Sequence, residues 1–259
     1  MNMNAVLIFD IDGVIRDVGN SYRKAIADTV EHFTEGGWRP TMEDLDNLKS
    51  EGIWNNDWEA SQELTYRYFE AQDKTREEVK LDYDRIVEFF QERYRGKHPE
   101  LFDGYIADEP LLVSPAYFEQ LLANDLTYGF FSGATKGSAD FVLKRRLGLE
   151  NPVLVAMEDA PSKPDPKGMF QAIAQLEIAA SNIPVFYLGD TVADMYTVVK
   201  AREIKPERKW IAIGILPPHV QTCQARKEDY AQKLLAAGAE IVLSNVEKLD
   251  PDLIRELAA

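Results

Sequence analysis

Near its beginning the chain reads Ala5-Val6-Leu7-Ile8-Phe9-Asp10-Ile11-Asp12-Gly13-Val14, which puts two carboxylates two positions apart directly behind an apolar run. The run consists of bulky residues without polar alternation, a pattern typical of a strand that is covered on both faces in a parallel sheet. Asp10 therefore falls at the carboxyl end of the predicted strand, the edge at which open α/β sheets bind ligands. Gly13 then permits a sharp turn of the backbone. The alternative is that Asp10 and Asp12 only cap a turn in a solvated loop.

Three further apolar runs are predicted to be buried strands, and polar residues follow each of them. The runs and the residues that follow them are 126–131 with Ser132 and Gly133, 153–157 with a loop that contains Lys163, and 185–188 with Asp190 and Asp194. Because the carboxyl ends of parallel strands lie at one edge of a sheet, we expect these polar residues to face a single crevice together with Asp10 and Asp12.

The chain after residue 105 continues this alternation, with further apolar runs that suit strands and with segments of helical periodicity. The strands are expected at 210–216 and 240–244, and the helices at 136–147, 165–176, 192–202 and 226–237. Strands that alternate with helices predict an α/β fold with a doubly wound, mostly parallel sheet.

The segment from residue 19 to residue 104 interrupts the alternation. It contains no convincing buried strand, and its apolar residues recur with the spacing of amphipathic helices. These helices are expected at 22–33, 42–49, 58–71 and 77–94. The sequence thus predicts an α/β core formed by residues 1–18 and 105–259, with an all-helical domain inserted at 19–104 and hinge candidates at Gly19 and Gly104.

Taken together, the four motifs resemble those of the haloacid dehalogenase-like (HAD) superfamily of aspartate-nucleophile phosphohydrolases. The matching pieces are D-x-D-G at residues 10–13, a hydroxyl residue at Ser132, Lys163-Pro164, and G-D-x-x-x-D at residues 189–194. Each piece is weak alone, but the four follow the order of the superfamily at plausible spacing. The resemblance implies a HAD-like Rossmannoid core whose helical cap closes over the crevice, as in phosphoglycolate phosphatases and β-phosphoglucomutases.

The residue types also suit the hydrolysis of a phosphate monoester, which needs a nucleophile, a counter-charge and a proton for the leaving oxygen. Asp10 is expected to attack phosphorus and to form an aspartyl-phosphate. Asp12 is expected to protonate the leaving oxygen and then to deprotonate the attacking water. Ser132, the backbone amide of Gly133, and Lys163 are expected to bind the phosphoryl oxygens. The alternatives are that Ser132 caps the following helix, a role that can coexist with the first, and that Lys163 is a solvated loop residue.

The charges of the motifs call for a divalent cation, because four aspartates crowd into a pocket for a dianionic substrate and Lys163 supplies one positive charge. Mg²⁺ fits, since it favours hard oxygen ligands and bridges to substrate phosphate. By resemblance, its protein ligands are the Asp10 carboxylate, the Asp12 backbone carbonyl and the Asp190 carboxylate. Asp194 would orient this set or reach the metal through water.

The segment between the second and third helices of the insert combines a cation, amides and tryptophans. Lys49, Asn55, Asn56 and Trp58 are therefore candidates for recognising the leaving group of a polar metabolite. An equally weighted alternative is that Asn56 or Asp57 caps the next helix while the indoles pack inside the insert.

Composition narrows the classes of partner. With 259 residues, 45% of them hydrophobic, the chain can bury a full core and a small second domain. Its net charge of −15 argues against nucleic acid and anionic membranes, so a small phosphorylated metabolite is the expected partner. The single cysteine, Cys223, excludes an internal disulfide and a zinc site with several thiolates. We expect a cytoplasmic protein, because the first apolar run is too short for a secretion signal and no stretch suits a membrane span.

Other chemistries share the motifs in part. Haloacid dehalogenases and phosphonoacetaldehyde hydrolases have this fold, but their patterns lack the second acidic residue, so Asp12 speaks against both. A phosphomutase resembling β-phosphoglucomutase keeps every motif and differs by excluding water, and the sequence does not separate it from a phosphatase. A silent binding module is disfavoured, because both Asp10 and Asp12 are retained. Mg²⁺-dependent turnover of p-nitrophenyl phosphate would distinguish an enzyme from such a module.

Overall fold

One parallel sheet forms the centre of the α/β part of the chain. The computed structural model describes residues 5–54, 56–98, 100–176 and 182–259. In these ranges the strands are β1 (Ala5–Phe9), β2 (Leu126–Phe131), β3 (Leu154–Val155), β4 (Val185–Gly189), β5 (Trp210–Ile215) and β6 (Ile241–Leu243). Neighbouring strands are parallel throughout, in the order β3-β2-β1-β4-β5-β6. The predicted α/β fold is confirmed.

The strand order reverses between β1 and β4. From β1 the chain proceeds to β2 and β3 on one side, and it then returns to place β4, β5 and β6 on the other. The register pairs Phe9 at the end of β1 with Leu188 near the end of β4. Asp10 and Asp190 therefore leave the sheet on adjacent strands, at the switch point where α/β proteins bind ligands.

Among the described residues, six helices of the part of the chain that follows Glu109 pack on the two faces of the sheet, and five helices precede them in the chain. The helices are α1 (Tyr22–Phe33), α2 (Met42–Ser50), α3 (Asp57–Glu70), α4 (Arg76–Val79), α5 (Tyr83–Tyr94), α6 (Pro115–Ala123), α7 (Lys136–Asp140), α8 (Lys167–Gln175), α9 (Val192–Ile204), α10 (Gln224–Ala236) and α11 (Pro251–Ala258). Residues of α6, α7 and α11 pack with Leu7 and Phe9 of β1, whereas residues of α8, α9 and α10 pack with Val6 and Ile8. Because successive side chains of a strand point to opposite faces, β1 is buried along its whole length.

The chain divides into two compact units. One unit holds the sheet and consists of the residues before Val18 and after Glu109. The other, residues 18–109, holds α1 to α5, and no strand occurs among its described residues. In this helical unit α1 packs against α3 and α5. None of the helices in the described ranges is long and apolar enough to cross a membrane.

The prediction of a single helix at 77–94 is wrong. α4 ends at Val79, and Lys80 adopts the left-handed conformation with φ of 47° before α5 begins. The Asp82 carboxylate caps α5 by accepting hydrogen bonds from the backbone N–H groups two and three residues further on. A capping residue has a non-helical backbone conformation. Asp82 therefore interrupts the helix that the apolar spacing predicts.

Two other elements also differ from expectation. The helix predicted at 136–147 begins as α7 and continues as a π-helical segment, Phe141–Arg146. The strand predicted at 153–157 is shorter. Its end is set by Asp159, whose side chain accepts a hydrogen bond from the N–H of Ala156 and turns the backbone out of the sheet.

Candidate active site

Asp10 lies where β1 ends. Its backbone N–H continues the sheet by donating to the carbonyl of Leu188 at 2.8 Å. Its side chain is buried, and Oδ1 accepts a hydrogen bond from the N–H of Ile11 at 2.7 Å. The carboxylate is thus held by the strand geometry at the switch point, where the sequence predicted it.

Lys163, in the loop between β3 and α8, reaches this carboxylate. Its Nζ lies 2.8 Å from Asp10 Oδ2 and 2.7 Å from Asp194 Oδ1. The ammonium also faces the rings of Phe131 and Tyr187, at 5.5 and 5.6 Å from their centroids. Because only 10% of its side chain is exposed, the interpretation of Lys163 as a solvated loop residue is wrong.

Asp194 is held by donors on both carboxylate oxygens. Oδ1 accepts from the Tyr187 hydroxyl at 3.1 Å as well as contacting Lys163. Oδ2 accepts from the backbone N–H and the hydroxyl of Thr191, at 2.9 and 2.7 Å. These contacts with Thr191 form the capping box that starts α9. Asp194 is therefore well placed to orient Lys163, a role that was not predicted for it from the sequence.

Tyr187 and Thr191 were not among the site residues predicted from the sequence. Signals for both residues were present. A tyrosine inside a buried apolar strand needs a partner for its hydroxyl. A threonine three residues before an aspartate is the pattern of a capping box at a helix start. Together the two residues supply three of the hydrogen bonds that fix Asp194.

Asp190 lies against the turn at Gly13. A Cβ atom added to Gly13 would lie 2.1 Å from Asp190 Oδ2, and Gly13 has a positive φ of 76°. The absence of a side chain there lets the Asp190 carboxylate approach the turn that carries Asp10 and Asp12. Oxygens of Asp10, Asp190 and Asp194, all buried, lie within 4.8 Å of one another. This set of hard oxygen donors fits a divalent cation.

The electrostatics of the cluster also favour a cation. Burial raises the pKa of Asp10 from 3.8 to about 7; the charges of Asp194 and Asp12 act in the same direction, and Lys163 opposes them. Burial acts to lower the pKa of Lys163, but the carboxylates of Asp10 and Asp194 outweigh it and hold that pKa well above its ordinary value. The lysine is thus charged, and further positive charge would keep Asp10 ionised at neutral pH.

Asp12 lies in the turn after Asp10, with 26% of its side chain exposed. Its Oδ1 accepts a hydrogen bond from Nε of Arg16 at 2.6 Å. Arg16 was not among the site residues predicted from the sequence. It is completely buried, and its Nη2 donates to Ser138 Oγ at 3.1 Å. Its signal in the sequence is a charged residue directly behind the apolar pair Val14 and Ile15.

Ser132 follows β2 and is buried. Its Oγ accepts a hydrogen bond from the N–H of Ala134 at 3.1 Å, which leaves the hydroxyl proton available for a ligand. The interpretation of Ser132 as the cap of the following helix is wrong, because the residue at the N-cap position of α7 is Thr135. Gly133 is exposed, and a Cβ added there would meet no atom within 4 Å.

The candidates in the helical unit have partners of their own. Lys49 Nζ lies 2.7 Å from Asp57 Oδ1. Asn56 caps α3, since its side chain accepts hydrogen bonds from the N–H groups of Trp58 and the next residue. Trp58 is partly buried. Asn55 lies outside the described residues. The capping role that the sequence offered as the alternative for Asn56 is thus present.

If the acidic cluster binds Mg²⁺, Gly13→Ala should weaken that binding, because its methyl group would collide with the Asp190 carboxylate and would strain a backbone with positive φ. The Mg²⁺ dissociation constant, measured from the Mg²⁺-induced rise in Tm, should increase roughly 10- to 100-fold. Gly133→Ala is the matched control, since a Cβ there meets open space. Equal affinities in the two variants would contradict the close approach of Asp190.

Comparisons with known proteins place this geometry in context. A family model described as hydrolase, haloacid dehalogenase-like hydrolase, matches residues 5–201. A curated protein of Phytophthora nicotianae named imidazoleglycerol-phosphate dehydratase is 29% identical over 245 residues, which cover 92% of this chain and 50% of that protein. The chain therefore spans about half the length of this curated relative.

Solved structures share the fold. A phosphonoacetaldehyde hydrolase like protein from Oleispira antarctica superposes with a TM-score of 0.68 at 17% identity, over 99% of this chain and 93% of that one. Phosphatase Tt82 from Thermococcus thioreducens superposes with a TM-score of 0.64 at 23% identity, over 81% of this chain and 92% of that one. At these identities the likeness is one of fold.

Proposed function

The chain belongs to the haloacid dehalogenase-like hydrolase family, and from this premise we propose that it is a Mg²⁺-dependent phosphatase of a small phosphorylated metabolite. The observation that carries the proposal is the buried contact of Lys163 with Asp10 at the carboxyl end of β1, two residues before Asp12. This arrangement combines a nucleophile, a counter-charge and a candidate proton donor at one strand end. Phosphoryl transfer requires these three groups.

In the proposed reaction a carboxylate oxygen of Asp10 attacks phosphorus. The bond from phosphorus to the ester oxygen breaks as the aspartyl-phosphate forms, and Asp12 donates a proton to the departing alcohol. In the second step Asp12 accepts a proton from water, whose oxygen bonds to phosphorus as the bond to Asp10 breaks. Lys163 balances charge on Asp10 and on the phosphoryl group. The hydroxyl of Ser132 and the amide of Gly133 would donate to the phosphoryl oxygens.

The proposed cofactor is Mg²⁺, which the carboxylates of Asp10 and Asp190 and the backbone carbonyl of Asp12 would hold. When bound, the cation supplies positive charge against the phosphoryl oxygens and favours the ionised form of Asp10. The raised pKa of Asp10, about 7, supports the proposal that the site requires a cation. Without added positive charge, much of the proposed nucleophile would be protonated at neutral pH. The contacts of Asp194 support a role in orienting Lys163.

The helical unit is proposed to act as the cap that sets substrate choice. The substrate panel should include sugar phosphates, phosphoglycolate and imidazoleglycerol phosphate, the last because this chain spans half of a relative named for it. Phosphate release is measured with and without Mg²⁺, with Asp10→Asn as the control. Metal-dependent release that vanishes in the variant supports the phosphatase. Isomerisation of a sugar phosphate without release would indicate a phosphomutase, and no reaction with any ester would contradict both.

Lys49 provides a test of the proposed substrate contact. If its ammonium binds the leaving group, Lys49→Ala should raise KM about 10-fold with a small change in kcat, the size expected for one charged hydrogen bond. Asp57→Asn is the matched control, because it breaks the same 2.7 Å ion pair but keeps the ammonium. Equal changes of KM in the two variants would mean that the pair only supports the helical unit. Asn55→Ala is expected to raise KM in the same way.

A further inference from the structure

Arg16 is a buried charged residue beside the candidate site that has no part in the proposed reaction. It lies four positions after Asp12, and its side chain is completely buried. Burying a guanidinium carries a large cost in solvation free energy unless its N–H groups find fixed partners. The position therefore points to a specific set of contacts and not to a solvated surface charge.

The contacts of Arg16 join the turn of Asp12 to helix α7. Nε donates to Asp12 Oδ1 at 2.6 Å, and Nη2 donates to Ser138 Oγ at 3.1 Å. Ser138 is buried on α7, the helix that follows the loop carrying Ser132 and Gly133. One planar guanidinium thus connects the turn that holds the proposed acid and base to the segment that holds the proposed phosphate donors.

The backbone of Arg16 is fixed as well. Its carbonyl accepts a hydrogen bond from the N–H of Gly13 at 2.9 Å, and its N–H donates to the carbonyl of Ile11 at 3.2 Å. It also forms isolated β-bridges with Asp12 and Leu111. A guanidinium on a restrained backbone is a rigid donor, and its fork geometry cannot be reproduced by lysine.

The carboxylate of Asp12 is held through one oxygen. Oδ1 is taken by Arg16, and no hydrogen bond to Oδ2 occurs among the described residues. Since 26% of the Asp12 side chain is exposed, Oδ2 is the oxygen that can exchange a proton with a ligand. Without a restraint, an aspartate in a turn would occupy several rotamers, and only some of them reach a leaving oxygen.

We propose that Arg16 is a positioning residue for Asp12, which holds Oδ1 so that Oδ2 is presented to the leaving group. The inference rests on the proposed phosphatase function. Its physical basis is that a general acid must lie within hydrogen-bond reach of the atom that it protonates, and that a misplacement of about 1 Å can reduce the rate about 100-fold. Arg16 itself does not touch the substrate in this proposal.

The test compares esters whose leaving groups differ in their need for a proton. Nitrophenolate departs without protonation, whereas the alkoxide of an alkyl phosphate requires it. The value of kcat/KM reports the steps up to release of the alcohol. For Arg16→Met and Arg16→Lys, kcat/KM for the best alkyl ester of the panel should fall about 100-fold, and kcat/KM for p-nitrophenyl phosphate should fall by about threefold or less. Asp12→Asn should show the same dependence of kcat/KM on the leaving group. In the Asp12→Asn/Arg16→Met double variant, kcat/KM for the alkyl ester should be little lower than in Asp12→Asn alone.

Each other outcome has a distinct meaning. Equal losses of kcat/KM with both esters would show that Arg16 has only a structural role and would overturn the proposal. A gain in kcat/KM for the alkyl ester would also overturn it, because it would show that the contact with Arg16 keeps Asp12 from reaching the leaving group. If the Arg16 variants fail to fold, Ser138→Ala serves instead. It removes the second anchor of the guanidinium, and it should lower turnover of the alkyl ester more than turnover of p-nitrophenyl phosphate. Failure of the wild-type protein to hydrolyse either ester would contradict the proposed phosphatase itself.

Discussion

Asp10→Asn is expected to abolish turnover and, in the metal-free protein, to raise Tm at alkaline pH. An amide cannot form the proposed aspartyl-phosphate, so kcat should fall by about 10⁴-fold or more, as for loss of other enzymatic nucleophiles. The gain in stability arises because the buried Asp10 carboxylate is costly when ionised, as its raised pKa indicates. Asparagine has nearly the same shape and no charge. A gain in stability together with a loss of activity would show that the ionised Asp10 carboxylate serves activity at a cost in stability.

The pH dependence of this effect has a definite sign. The pKa of Asp10 rises from 3.8 to about 7 on folding, so the folded protein binds more protons than the unfolded chain between these values. The stability due to the protonated carboxyl is complete below pH 3.8 and is lost as pH rises through about 7. The Tm of the wild-type protein minus that of Asp10→Asn, both in EDTA, should therefore decrease between about pH 5 and about pH 8.

Mg²⁺ should oppose this loss of stability. Since the cation favours the ionised carboxylate, the Mg²⁺-induced rise in Tm of the wild-type protein should be larger at about pH 8 than at about pH 5. In Asp10→Asn the rise should be small at both pH values. A difference in Tm that stays constant with pH, or equal responses to Mg²⁺ in both proteins, would contradict the raised pKa and the place of Asp10 in the metal site.

Lys163→Met is expected to damage both stability and activity. The ammonium lies 2.8 Å from Asp10 and 2.7 Å from Asp194, whose side chains are 9% and 0% exposed. Removing it leaves two buried carboxylates without their cation, which should lower the free energy of unfolding at neutral pH by about 3–5 kcal/mol. Loss of the charge that is proposed to face the phosphoryl group should lower kcat/KM by about 100- to 1,000-fold.

The matched control for Lys163→Met is Lys136→Met. Lys136 is 59% exposed, and its nearest carboxylate, on Asp159, lies 4.0 Å away, so its removal should leave stability and kcat/KM nearly unchanged. Urea unfolding and hydrolysis of p-nitrophenyl phosphate measure the two effects. If both lysine variants behaved alike, the buried ion pairs of Lys163 would have no part in holding Asp10.

Much of the fold followed from local patterns. The apolar runs before Asp10, Ser132 and Asp190 predicted β1, β2 and β4, because a strand buried on both faces cannot alternate with polar residues. The prediction of one helix at 77–94 is wrong for an equally local reason. Its apolar spacing is helical, but the cap formed by Asp82 competes with that spacing and divides the segment into α4 and α5.

The order of the strands required tertiary pairing. Because the apolar runs have similar compositions, the sequence does not indicate which strands pair with each other. The structure places β4, which comes after β3 in the chain, beside β1, and this placement creates the switch point next to Asp10 and Asp190. The loop lysine is a similar case. Its position behind β3 was visible in the sequence, but its burial between two aspartates depends on elements that are distant along the chain.

By itself, the sequence determined the types of chemical group at each strand end, namely the aspartates, the serine and the lysine, because these follow directly on recognisable apolar runs. Tertiary structure alone decided which oxygen meets which donor. Arg16 and Ser138 are 122 positions apart and share a hydrogen bond, and Lys163 from the loop after β3 contacts Asp10 at the end of β1. The physical reason is that strand formation depends on neighbouring residues, whereas a buried polar contact depends on which distant segments packing brings within about 3 Å.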